Sequence, residues 1–208
     1  MKTLFFLWCL LFAHTAIYAQ NRIIRDNFED TRNRFRFEEN FNRHSSAMIQ
    51  SGGLVLQNRD KNSSIKIVTE IPLPMDIDRI FKVISTIFVP NLQHNFGVIF
   101  NYVNDNSFDR FVVAPGIYTV ISRVDGIDTS ISTGRIILRQ GRNREVVVEM
   151  ERRGSRLIFN VDNMEAVSFN LGAQDNNVTL RNGRFGFISE GANTITIKEV
   201  AIDQILRE

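Results

Sequence analysis

The sequence predicts an all-β fold, a two-sheet antiparallel jelly-roll sandwich, and three observations predict it. First, residues 142–171 alternate with a period of two. Val146, Val148 and Met150 point one way and Val147, Glu149 and Glu151 the other. After the Arg153-Gly154-Ser155 break, Leu157, Phe159 and Val161 alternate with Arg156, Ile158 and Asn160. Such alternation around tight turns marks antiparallel strands with one buried face. Second, about a dozen short runs of this kind fill the chain, and no run carries the 3.6-residue period of an amphipathic helix. Third, that many strands cannot bury their apolar faces as one flat sheet, so they must stack as two.

In chain order, Asp26-Asn27-Phe28-Glu29 opens the domain. A short strand and a long loop are expected over 22–48, with Phe28, Phe35, Phe37 and Phe41 pinning it to the core. A glycine pair starts a strand at 52–57. The alternation of Ile65, Ile67 and Thr69 against Lys66, Val68 and Glu70 marks 63–71, which Pro72 and Pro74 end. The run 79–89 is apolar on both faces, as expected of a central strand. Runs 96–103 and 107–114 form a hairpin through Asn104-Asp105-Asn106, residue types that tolerate positive φ. Pro115-Gly116 turns the chain into 117–124. Residues 125–143 read as the longest weakly patterned connection. Near the end, Ile195 and Ile197 share one parity and Val200 and Ile202 the other, which predicts a bulge at Lys198-Glu199.

Residues 1–19 read as a cleaved secretory signal. Lys2 precedes the apolar run Leu4 to Ala13, and Ala19 precedes a cut at Gln20. The run is shorter than the roughly 20 residues that span a bilayer. A secreted or periplasmic domain over residues 20–208, with no membrane association after cleavage, is the expectation. Cys9, the one cysteine of the chain, leaves with the signal, so stability rests on the core alone. Loss of Lys2 lowers the formal net charge from +2 to +1, too small for a nucleic-acid footprint. Only His44 and His94 remain, far apart in sequence, which argues against a histidine zinc site or a proton relay. Serine elbows and phosphate-cradling glycine loops are absent. Asn62-Ser63-Ser64 and Asn177-Val178-Thr179 would accept glycans only in a eukaryotic source.

Four segments resemble the concanavalin A-like lectin and glucanase superfamily, in particular exported bacterial 3-keto-disaccharide hydrolase-type and laminin G-like domains. They are Asp26-Asn27-Phe28-Glu29, the hairpin FGVIFNYVNDNSFDRFVV, the strand pair NREVVVEMERRGSRLIFNVDN and the strand NGRFGFIS. In the third, Asp162-Asn163 stands where the group has Asn-Gly. The matched residues are turn and core positions, and folds of this kind host lectins, hydrolases and interaction modules alike. The resemblance implies a polysaccharide or oligosaccharide partner. Its hydrolase branch points to Arg110, Arg123, Glu149 and Asp109 as residues to test.

Three sets of side chains could carry chemistry. Glu149 and Glu151, two apart on one strand, stand about 6.6 Å apart on one face, within the range of paired glycosidase carboxylates. The laminarinase-type Glu-x-Asp-x-x-Glu strand is not matched, however, and the competing reading is a solvated face with cross-strand ion pairs. Asp105, Asn106 and Asp109 at the hairpin, and Asp125 with Asp128, are candidate calcium ligands, although turn chemistry alone accounts for those residue types. No other cofactor is implied. Asn101, Arg110 and Arg123 lie on three consecutive strands. If 79–89, 96–103, 107–114 and 117–124 share a sheet, these three line a groove with Tyr118. Arginines outnumber lysines twenty to five, and seven fall between 135 and 156. That enrichment suits bidentate grip on anionic sugars, or a solvated face balanced by Glu145, Glu149 and Glu151.

Overall fold

A computed structural model describes residues 22–30, 32–50, 52–70, 72, 80–138, 144–171 and 183–205. The expected signal segment, Pro74 and Asn177-Val178-Thr179 lie outside the described residues. The fold is an all-β sandwich with no helix among the described residues. In chain order the strands are β1 (Arg22–Asp26), β2 (Asn40–Phe41), β3 (Ser45–Gln50), β4 (Gly53–Asn58), β5 (Ser64–Val68), β6 (Ile80–Val89), β7 (Asn95–Asn104) and β8 (Ser107–Ala114). They continue as β9 (Ile117–Val124), β10 (Ile127–Arg135), β11 (Arg144–Arg153), β12 (Arg156–Val161), β13 (Met164–Asn170), β14 (Arg184–Glu190) and β15 (Asn193–Ile205). One sheet runs β13-β12-β11-β6-β15-β4-β3-β2, with β1 also on β15, and the other runs β10-β9-β8-β7-β14-β5.

The inward rows follow the alternation. Val146, Val148, Met150, Leu157, Phe159 and Val161 face Phe96, Val98, Phe100, Phe111, Val113 and Val120 across the sandwich, all nearly or fully buried. The predicted bulge is present, with the β15–β6 register shifting between Ile197 and Glu199. It returns Val200 and Ile202 to the core beside Ile195 and Ile197.

Three expectations need correction. Strand β6 does not join β7, β8 and β9. It is central, as its two apolar faces suggest, but in the nine-stranded sheet between β11 and β15. The segment 90–94 therefore crosses between sheets. The weakly patterned stretch after 124 contains strand β10, paired with β9 through the Asp125-Gly126 turn. Both residues there have positive φ (52° and 81°). Strand β10 lacks apolar alternation because it is an edge, exposed over most of its length. The expected long loop before residue 48 holds β3 and a two-residue β2.

The opening motif has a structural job. The buried Asp26 carboxylate accepts hydrogen bonds from the Phe28 and Arg34 amides. This holds Phe28 at φ 56° with its ring fully buried. A bulky residue in the left-handed region is costly, and the ring's burial offsets that cost.

Candidate functional site

The outward face of the six-stranded sheet carries a small second core: Val68, Ile99, Tyr102, Phe108, Val112 and Ile188. Charged side chains lie over it. Arg110 and Arg123 each grip Asp128 in bidentate fashion, at 3.1 and 2.8 Å for Arg110 and at 2.7 and 3.0 Å for Arg123. Arg110 Nε also sits 3.3 Å from Glu190 Oε1, an ion pair whose alignment makes no hydrogen bond. The guanidinium carbons of Arg110 and Arg123 and the Lys66 ammonium lie 5.6, 5.3 and 5.5 Å from the Phe108 ring centre. Lys66 reaches Asp105 at 3.0 Å, and Tyr102 donates its hydroxyl to Asp105 at 2.5 Å. Burial and the Asp105 carboxylate push the Tyr102 hydroxyl well above its usual range. Arg184 covers the Tyr102 ring at 4.8 Å and pairs with Glu38.

The hydrogen bonds from Arg110 and Arg123 hold the Asp128 carboxyl far below the usual carboxylate range. A depressed folded-state pKa stabilises the fold above the unfolded value of about 3.9, and that contribution fades as pH falls through the folded value. Asp128→Asn should therefore lower stability at pH 7 by about 1 kcal/mol, a figure discounted for a carboxylate that is one-third exposed. The gap to the parent protein should close progressively below about pH 4. Urea unfolding at a series of pH values measures it, and a gap that stays constant to pH 2 would remove Asp128 from the account.

Of the residues expected to line a groove, Arg110 and Arg123 share this face, but Asn101 and Tyr118 do not. Asn101 sits at φ 54° in a register break of β7, is 2% exposed, and donates to the inward Asp109 carboxylate at 2.7 Å. A left-handed residue breaks the period of two, so parity counted from Ile99 fails there. Tyr118 faces the core and stacks on Phe111 at 5.8 Å. The calcium candidates are not gathered either. Asp105 is engaged by Lys66 and Tyr102 on the outward face, Asp109 pairs with Asn101 inside, and Asn106 lies exposed in the turn. Asp128 is neutralised by two arginines, and Asp125 is exposed in the next turn. Among the described residues no group of three or more His, Cys, Asp or Glu side chains is arranged to hold a metal ion.

Glu149 and Glu151 do share a face, the outward one of the nine-stranded sheet. Instead of being solvated, both are 6% exposed. Lys82 lies 3.0 Å from Glu149, which also accepts from Asn160 at 3.1 Å, and Arg153 holds Glu151 at 2.5 and 3.0 Å.

Open space in the molecule lies elsewhere. Three clefts of about 470, 350 and 520 Å³ adjoin along the β5 edge of the six-stranded sheet. The first and second share Ser64, and the second and third share Tyr102 and Asp105. Together they make one polar track, running from His94 past Lys66 to the turn at Asn104. Its middle lies between the edge strands of the two sheets, β2 and β5. Asn40, Asn62 and Gln93 line it with exposed amides whose side chains have no hydrogen-bond partner among the described residues. Alternation could not reveal this track, because its walls come from segments far apart in the chain: 38–45, 61–68, 93–95, 102–107 and 190–191. The Asp-Gly turn signal after Val124 could have paired Arg123 with Asp128.

The fold is that of concanavalin A-like and galectin-like β-sandwiches, as solved structures show. A carbohydrate-binding module of group 66 from Bacillus subtilis is 13% identical with a TM-score of 0.58, covering 79% of this chain and 92% of that one. The exoplasmic/lumenal domain of VIP36, in a Ca²⁺- and mannose-bound form, is 10% identical with a TM-score of 0.63, covering 89% and 91%. The catalytic domain of an endo-1,3-β-glucanase (laminarinase) from Thermotoga petrophila is 7% identical with a TM-score of 0.58, covering 91% and 100%. No protein-family model and no curated relative matches the sequence.

Proposed function

We propose that this is an exported, non-catalytic carbohydrate-interaction module that holds a polysaccharide or oligosaccharide along the β5 track. The observation that carries the reading is the adjacency of three polar clefts, two of them lined by the unengaged amides of Asn40, Asn62 and Gln93. Planar amides and carboxylates pair well with vicinal sugar hydroxyls, and a polar site built to hydrogen-bond discriminates by leaving no group unmatched. The sandwich neighbours, which include a carbohydrate-binding module and a mannose-bound exoplasmic/lumenal domain, support it. Arg110 and Arg123 flank the track from the outward face, where Arg123 remains partly exposed to a ligand. A non-catalytic role accords with Glu149 and Glu151, each already held by a cation.

Calorimetric titration of plant, host and bacterial glycans tests the reading. Asn40→Ala, Asn62→Ala and Gln93→Ala should each weaken binding roughly five-fold, the equivalent of about 1 kcal/mol for one hydrogen bond. Absence of binding to any glycan at millimolar concentration would overturn it. The hydrolase reading rests on the shared face of Glu149 and Glu151, and turnover of a 3-keto-glucoside that Glu149→Gln abolishes would favour it instead.

A further inference from the structure

One strand edge is left half-zipped at the middle of the track. Residues 36–38 run antiparallel beside β5, with Phe37 opposite Thr69. The Glu38 amide donates to the Val68 carbonyl at 2.9 Å, and the Glu70 amide donates to the Arg36 carbonyl at 2.7 Å. The ladder then stops. Continued in the same register, it would set Asn40 opposite Lys66. Instead Asn40 and Phe41 form β2 and pair with Ala47 and Ser46 of β3, in the other sheet. A single segment thus starts on one sheet and ends on the other. The cleft of about 350 Å³ opens where it departs.

The phase of β5 decides which backbone groups this departure leaves unmatched. The Thr69 amide donates to the Phe185 carbonyl at 2.8 Å, so the backbone groups of Thr69, Ile67 and Ile65 face β14. Those of Val68, Lys66 and Ser64 face the cleft instead. Glu38 takes the Val68 carbonyl. The Val68 N–H, the Lys66 N–H and the Lys66 carbonyl have no hydrogen-bond partner among the described residues. Backbone donors and acceptors are obligatory, and a row of them on a strand edge is a ready contact for a ligand that carries the matching groups. The facing wall includes Asn40, exposed and with its side-chain amide unengaged.

What β5 lacks here is a peptide group, planar, with its C=O and N–H on opposite sides. A sugar hydroxyl does not reproduce that shape, but an acetamido group does. It can accept from the Lys66 or Val68 N–H on one side and turn its own N–H toward the Asn40 side-chain oxygen on the other. The charge of the cleft favours the same group. Its lining includes the carboxylates of Glu38, Glu39 and Asp105 against the single ammonium of Lys66. A uronic or sulfated sugar would meet an excess of like charge, whereas an acetamido group is neutral. We propose that the middle of the track recognises an N-acetylated amino sugar, whose acetamido group replaces a peptide group that the chain withdraws from β5 after Glu38. The assignment rests on the carbohydrate reading of the track and names the class of sugar it takes.

Calorimetric titration with two neutral tetramers of the same β-1,4 linkage, one of N-acetylglucosamine and one of glucose, tests this. The acetylated tetramer should bind about ten-fold tighter, the gain expected from one or two added hydrogen bonds. Lys66→Pro removes a donor that β14 does not use, a change an edge strand tolerates. It should bring the two tetramers within about three-fold of each other. Amide hydrogen exchange reads the same site without a variant. In the protein alone the Lys66 and Val68 amides should exchange fast and the Ile67 amide slowly, and the acetylated tetramer should slow the first two. Equal affinity for the two tetramers overturns the assignment while leaving the track standing, and so does a Lys66 amide as protected as that of Ile67 before any sugar is added. A capped four-residue peptide that protects Lys66 more strongly than the acetylated tetramer overturns it in favour of an added strand. Absence of binding by any glycan removes the track and this assignment together.

Discussion

Phe159→Ala is expected to lower the unfolding free energy by roughly 3–5 kcal/mol, the cost of deleting a buried phenylalanine ring. Phe159 stands on β12 of one sheet, and its ring packs between two rings of the other. Its centre lies 5.2 Å from Phe100 and 4.7 Å from Phe111, the latter stacked at 7°. Phe111 in turn stacks on Tyr118. The four rings form a continuous aromatic contact across the sandwich, and Phe159 is fully buried within it. Deleting the ring therefore loses transfer free energy and also leaves a void beside the Phe100 and Phe111 rings that cannot easily collapse. Phe159→Leu, which keeps most of the volume, should cost less than half as much. Urea unfolding of the three proteins measures both values. An alanine variant within 1 kcal/mol of the parent would place the cross-sheet adhesion elsewhere.

Phe159 was legible in the sequence because strand alternation is a local signal. Its inward parity with Leu157 and Val161 follows from the period of two, and so does the outward parity of Glu149, Glu151, Arg110 and Arg123. The bulge of β15 was legible for the same reason, as a break in that period. Sheet membership is not local. The apolar double face of β6 shows that it is central, but only long-range packing decides which sheet it centres. Asn101 defeated parity counting because one left-handed residue reverses every face beyond it. Strand β10 was hidden because a strand exposed on both faces has no apolar period, so only its Asp125-Gly126 turn could have shown it. The track could not be read at all, since Asn40, Asn62 and Gln93 meet only once the sheets have stacked.

Gly97→Ala should be among the most damaging single-methyl additions in the six-stranded sheet. Strand β7 pairs with β8 on one side and β14 on the other, so its backbone has no free edge toward which to move. A Cβ at residue 97 would overlap the Phe111 carbonyl oxygen and come within 2.9 Å of the Val112 Cα. Both obstacles are backbone, held by the register that pairs Gly97 with Val112. Relief requires parting β7 from β8, which would disturb Phe111 in the core and Arg110 on the outward face together. The expected cost is about 3 kcal/mol or more, at the upper end for overpacking. Gly134→Ala provides the contrast. There the new methyl meets the Tyr118 ring, its hydroxyl at 2.5 Å. That obstacle is a side chain beside an edge strand, which can yield. Its cost should be smaller, about 1–2 kcal/mol. Thermal and urea unfolding of both variants decide the order. A Gly134 variant less stable than the Gly97 variant would mean that β7 can slide, and with it the Arg110–Asp128–Arg123 cluster that flanks the proposed glycan track.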